Sequence, residues 1–177
     1  MSVLWDFYWP ALMAALVIGV IAGIIAFGAR GSARRLSPGQ ARMAVLAGGF
    51  LVALVVAALW HGPLGAGTRF ASAVESDARK TIAAFEMKQI QSRLEVGPLR
   101  RTLVLSGSAD DFQRAELARI LRSLPGVSRV RWADEPQAGA LPLLAEIELA
   151  TLVAFGFGLV LAYLLELRRR ARADWRW

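Results

Sequence analysis

The chain has 177 residues, of which 56% are hydrophobic, with no cysteine, one histidine and a formal net charge of +7. Without cysteine there are no disulfides, thiolate nucleophiles or cysteine-ligated metals, and His61 alone cannot assemble a histidine-rich metal site. The positive charge does not point to nucleic acid. Gly28–Arg42 holds four arginines and no acid, Glu166–Trp177 holds five arginines against two acids, and Gly62–Ala140 holds 12 bases against nine acids. Most of the excess therefore flanks apolar runs, where it sets membrane topology.

The first apolar run, about Tyr8–Phe27, carries no charge. A bilayer core about 30 Å thick needs roughly 20 helical residues, so this run predicts a spanning helix. The basic n-region of a cleaved signal peptide is missing from Met1–Pro10, so the helix is expected to be retained. A second uncharged run, about Met43–Trp60, predicts a second span. Arg30, Arg34, Arg35 and Arg42 lie between the two. The third run, Leu149–Leu165, lengthens through an apolar lead-in to about 143–165, and Arg168, Arg169, Arg170 and Arg172 follow it. Both arginine clusters fall on one side only if the chain crosses three times, with the N-terminus outside and the C-terminus in the cytoplasm. Trp5, Tyr8, Trp9 and Trp60 then line the outer interface, which amphipathic rings favour.

The organisation read from this is two helices within residues 1–61, a small extracytoplasmic domain over 62–140, and a third helix with a basic tail over 141–177. After the Gly/Pro-containing exit Gly62–Gly67, Val74, Ala78, Ile82 and Phe85 recur at helical spacing, with Ile90 and Leu94 continuing a rotated stripe. Glu95–Pro98 is expected to break this helix in a turn, leaving only Leu94–Val96 for a strand before Gly97. Thr102–Gly107 reads as a strand with Leu103 and Leu105 on one face. Asp110 and Gln113 form a capping pair for a helix whose apolar face is Phe112, Ala115, Leu117, Leu121 and Leu124. Pro125-Gly126 ends that helix, and Val127–Trp132 reads as a last strand.

The ordered run Leu103-Val104-Leu105-Ser106-Gly107, the helix Phe112–Leu124, and Pro125-Gly126-Val127-Ser128-Arg129-Val130 together resemble the BON domain, a small module of bacterial envelope proteins. The match covers Glu95–Trp132 closely and reaches back to about residue 75. The resemblance implies an α/β fold with helices on one face of a three-stranded sheet. It also implies a binding or anchoring module, with phospholipid or envelope contact, and no chemistry of its own. Leu105, Gly107, Pro125, Gly126, Val127 and Val130 are its motif positions.

Glu146 and Glu148 stand at the outer start of the third span, where a carboxylate is either a helix-start residue at the interface or a functional group with a partner. Two residues apart, they point to different sides of the helix and make no acid/base pair. Gly19 and Gly23 in the first span, with Ala154, Gly158 and Ala162 in the third, put small residues at i, i+4 spacing, which permits close helix contact within the chain or with a partner. Arg100, Arg101, Arg129 and Arg131 are candidates for an anionic-surface contact. No phosphate loop or nucleophile set is present.

The expectation is a non-enzymatic accessory or assembly subunit of a larger complex in the bacterial inner membrane, with the central domain in the periplasm. Its partners are membrane lipids and a membrane protein; no cofactor, metal, nucleic acid or small-molecule substrate is implied. Two alternatives stand beside this. One is an envelope-maintenance protein whose domain binds phospholipid or cell-wall material. The other, resting on Glu146 and Glu148, is a transporter or ion-pathway component.

Overall fold

A computed structural model describes residues 3–28, 37–136 and 139–174. Arg30, Arg34 and Arg35, three of the charges used to orient the chain, lie outside the described residues. The element order is α1 (Val3–Gly28), α2 (Pro38–His61), α3 (Ala66–Ala84), β1 (Gln91–Leu94), β2 (Thr102–Ser106), α4 (Asp111–Arg122), β3 (Arg129–Trp132) and α5 (Leu143–Asp174). They fall into two compact units. One joins the residues up to Tyr8 with His61–Glu146; the other joins Trp9–Trp60 with Ile147 onward.

In the helical unit, α1, α2 and α5 are each long and apolar enough to cross a membrane. Each is longer than its uncharged run: α1 begins at Val3, α2 at Pro38, and α5 continues through the arginines to Asp174. Charged ends extend a helix readily, because backbone hydrogen bonding does not depend on apolar side chains. The α2 start is also capped, with the Gln40 N–H donating to Ser37 Oγ at 3.3 Å and the Ser37 N–H to Gln40 Oε1 at 3.1 Å. Proline at the first helical position, Pro38, costs nothing because its missing N–H has no partner there. Glu166 neutralises part of the basic end of α5 through Arg169 at 3.0 Å and Arg170 at 2.9 Å.

The bundle packs on small residues. A Cβ added at Gly19 would collide with the Phe155 carbonyl oxygen, and one at Gly158 with the Leu16 carbonyl oxygen, so α1 and α5 touch backbone to backbone. One turn along, a Cβ at Gly23 would stand 2.5 Å from the Ala162 methyl. Ala154 and Ala162 are buried. All five small residues singled out in the sequence thus lie at, or beside, a contact made within this chain. Gly49 of α2, not singled out, approaches Ala22 of α1 in the same way. In a bilayer, whose lipid tails are as apolar as leucine, dispersion at such close approaches rather than water exclusion would hold the helices together.

The second unit is a three-stranded sheet in the order β1-β2-β3, antiparallel between β1 and β2 and parallel between β2 and β3. The register places Ser92, Leu94, Leu103, Leu105, Val130 and Trp132 on one face. All six are buried, and α3 and α4 cover them with Phe70, Val74, Ala78, Ile82, Leu117 and Leu121. The other face carries Gln91, Arg93, Val104, Arg129 and Arg131.

Three expectations need correction. The helix ends at Ala84, and Gln91–Leu94 is the first strand, so Ile90 and Leu94 do not prolong a helical stripe. Their four-residue spacing coincides with helical periodicity, but alternating burial and pairing with β2 settle the strand. The first strand is accordingly not the stub Leu94–Val96. Finally, Phe85 and Phe112 are exposed rather than core. Phe85 lies beyond the helix end, and Phe112 lies in the first turn of α4, where the apolar face is carried by Leu117 and Leu121. The Asp110–Gln113 capping box is present, with Gln113 N–H to Asp110 Oδ1 at 2.7 Å.

Candidate functional site

The polar residues of the folded unit gather in three places: the start of α5, the non-helical face of the sheet, and the free edge of β1.

At the start of α5, Glu146 lies in the first helical turn, where the unsatisfied N–H groups favour a carboxylate. Its Oε2 accepts from the Tyr8 hydroxyl at 2.8 Å and from Arg101 Nη1 at 3.2 Å. Arg101, immediately before β2, also donates from Nε to the Gly126 carbonyl at 3.1 Å, and its own carbonyl accepts from Ser128 N–H at 2.8 Å. The Leu143 N–H donates to the Leu99 carbonyl at 2.8 Å, and Arg100 bridges to Pro142. The beginning of α1 is held by rings. Phe7 packs against Phe70 at 5.2 Å, His61 at 6.0 Å and Tyr8 at 5.1 Å between centroids. Gly67 is required beside His61, since a Cβ there would stand 2.8 Å from the His61 carbonyl oxygen. Residues 138 apart in sequence thus meet on one carboxylate oxygen. A carboxylate that accepts from a cation and a phenol is a strong tie, because charge-assisted hydrogen bonds exceed neutral ones. Glu148, two residues on, is half-buried and has no ion pair or hydrogen bond among the described residues. The structure therefore does not bring the two carboxylates to one site.

On the non-helical face, Glu95 is buried, with Oε1 3.5 Å from Arg100 Nη1 and 3.7 Å from Arg131 Nη2. Arg131 Nη1 donates further to the Trp132 and Glu135 carbonyls, each at 3.3 Å. Of the four arginines considered for an anionic surface, Arg100, Arg101 and Arg131 are ion-paired within the chain. Arg129 is exposed and makes no ion pair among the described residues. Nearby, Arg114 bonds Asp134 at 2.7 Å and stacks over Trp132 at 4.7 Å. The hydrogen bond from Arg114 holds the Asp134 carboxyl below its ordinary value.

The residues that carry the sequence resemblance serve the fold. Leu105, Val127 and Val130 are buried. Gly107 adopts φ +136, and a Cβ there would collide with the Gln89 carbonyl oxygen. Gly126 adopts φ +99 against Val74 and Phe70, and Pro125 precedes it on the surface. Positive φ without a side chain is the property glycine supplies at both turns.

Sequence reasoning missed Tyr8 and Arg101 as partners of Glu146, and missed Glu95. The available signal was the acid itself: a carboxylate at the edge of an apolar helix calls for a donor. Among the described residues, no group of three or more His, Asp or Glu is placed to hold a metal ion. Compared with protein-family models, with curated proteins and with solved structures, the chain matches none.

Proposed function

We propose that the protein is a non-enzymatic accessory or assembly subunit of a larger complex in the bacterial inner membrane, presenting a BON-like module on its periplasmic side. The observation that carries this reading is the Tyr8–Glu146–Arg101 tie. It joins Tyr8 of α1 and the first turn of α5 to the sheet within one compact unit, so that unit presents a structured surface that includes both helix ends. A module built in this way suits lateral contact with a neighbouring membrane protein. The ordered motif Leu105-x-Gly107, helix, Gly126-Val127-x-x-Val130, on a three-stranded sheet with helices on one face, supports the BON-like assignment.

The same geometry weakens the alternatives. A lipid-binding patch of four arginines loses three of them to internal ion pairs. An ion pathway through Glu146 conflicts with its engagement by Tyr8 and Arg101.

Two experiments test the proposal. Because the chain lacks cysteine, single Ser108→Cys and Ser37→Cys variants report sidedness with a membrane-impermeant maleimide. Ser108 is expected to label from the periplasm and Ser37 only after permeabilisation; the reverse pattern overturns the topology. Affinity purification from native membranes in mild detergent should recover stoichiometric membrane-protein partners. Recovery of the chain alone, folded and monodisperse, overturns the subunit reading.

A further inference from the structure

β1 is an edge strand, bonded to β2 on one side only. The Glu95 N–H donates to the Thr102 carbonyl at 2.9 Å, so Arg93 and Glu95 turn their backbone groups toward β2. By the alternation of an antiparallel ladder, Ser92 and Leu94 turn theirs outward. The Leu94 N–H is taken by the Glu75 carboxylate of α3 at 2.9 Å. The Ser92 N–H and carbonyl have no partner among the described residues.

This free edge opens into a groove of about 730 Å³ between α3 and β1. Its apolar lining includes Ile82, Ile90 and Val96. Ser92 also lines it, 5% exposed, with a buried hydroxyl that has no hydrogen-bond partner among the described residues. Arg79, Lys88 and Arg93 border the groove from α3, the α3–β1 connection and β1, and none has an ion pair among the described residues. The only carboxylate among the described residues lining the groove, Glu75, is already engaged by the Leu94 N–H.

We infer that this groove seats an extended acidic segment of a partner protein, which adds a strand along the outer edge of β1. The inference rests on the subunit reading above and names the surface and the chemistry of the contact. Three features point to a peptide. The outer edge of β1 keeps a donor and an acceptor at Ser92 that an added strand satisfies. The outward Ser92 N–H and carbonyl need an acceptor and a donor at strand spacing, which the alternating C=O and N–H of an extended peptide supply together. Three cations against one engaged carboxylate select acidic side chains on the incoming strand. Positive charge on an edge strand also discourages pairing with a second basic edge, so a further copy of this chain is disfavoured at the same place.

The test uses the full chain in phosphatidylcholine nanodiscs and a short fluorescein-labelled peptide of alternating Glu and Val. Anisotropy should show saturable binding, and deuterium exchange at the Ser92 amide should slow. The Arg79→Glu/Arg93→Glu variant should bind about tenfold more weakly or worse, since two attractive charges become repulsive. Arg129→Glu, outside the groove, should bind as the wild type does. The inference is overturned if a Lys/Val peptide binds equally, if the same peptide with alternate backbone amides N-methylated binds equally, or if there is no saturable binding. It is also overturned if phosphatidylglycerol nanodiscs displace the peptide through the same two arginines, or if the charge-reversed variant abolishes a dimer seen by sedimentation. Partner recovery from native membranes separates the two levels. Undiminished recovery with Arg79→Glu/Arg93→Glu removes the groove while leaving the subunit reading intact. Peptide binding by a chain that recovers no partner does the opposite.

Discussion

Removing the charge on Arg101 or Glu146 tests whether the helix ends are truly part of the module. The pair stands at 3.2 Å, with side chains 21% and 23% exposed. At an effective dielectric of about 20, that separation gives a gross attraction of ~5 kcal/mol. Desolvation of both groups removes much of it. Exposed pairs keep about 0.2–1 kcal/mol, whereas breaking one half of a fully buried pair costs roughly 3–5. With about a fifth of each side chain still in contact with solvent, a coupling of about 1.5 kcal/mol is expected between those limits. Arg101→Met should destabilise by more than Glu146→Gln. The first change also strands the Gly126 carbonyl, whereas the amide oxygen introduced by the second still accepts from Tyr8. The assay is a double-mutant cycle read from hydrogen exchange at the Leu103 and Leu105 amides, in nanodiscs, under conditions where exchange reports the opening equilibrium. These amides sit in the central strand and report opening of the module. A coupling within about 0.3 kcal/mol of zero would refute the reasoning, since that is the scatter expected of independent sites.

Other perturbations have separate expected outcomes. Gly158→Leu should lower the detergent-denaturation midpoint strongly, by about 2 kcal/mol or more, because the new side chain meets α1 backbone. Gly156→Leu, at a position where an added Cβ meets nothing within 4 Å, should cost less than about 0.5 kcal/mol. Gly126→Ala combines φ +99 with a Cβ 2.8 Å from Val74 Cγ2 and should cost the module about 2 kcal/mol by the same exchange measurement. Asp110→Ala removes the capping box of α4 and should cost about 1 kcal/mol, visible as faster exchange in the first turn of that helix. The Asp134 carboxyl is held below its ordinary value by Arg114, so its contribution is present above that value and disappears as the pH falls through the lowered one. Asp134→Asn should therefore be less stable than the wild type at pH 6, and the difference should shrink as the pH falls through the lowered carboxyl value. A difference that persists unchanged at low pH would show that the Arg114 contact does not depend on the charge.

Local signals in the chain were enough to reveal the three apolar helices, the capped α4, the β2 strand and the Pro125-Gly126 stop after α4. Each rests on a feature confined to a few neighbouring residues: a charge-free run, an Asp110–Gln113 pair, a β-prone stretch, or a Pro-Gly pair. The same locality misled at Ile90 and Leu94, whose spacing fits a helix. Only the ladder with β2 shows that Gln91–Leu94 is extended. The five small residues were visible as stripes, but whether they faced a partner or this chain depended on bringing residue 19 to residue 158. The role of Glu146 depended likewise on Tyr8 and Arg101, at separations of 138 and 45 residues. The groove beside β1 was invisible for the same reason, since an edge exists only once a sheet has formed. Periodicity, caps and turn residues act through bonds and nearest neighbours, so sequence alone decides them. Ion pairs, helix contacts and sheet edges depend on which distant segments the whole fold brings together, and tertiary structure alone decides those.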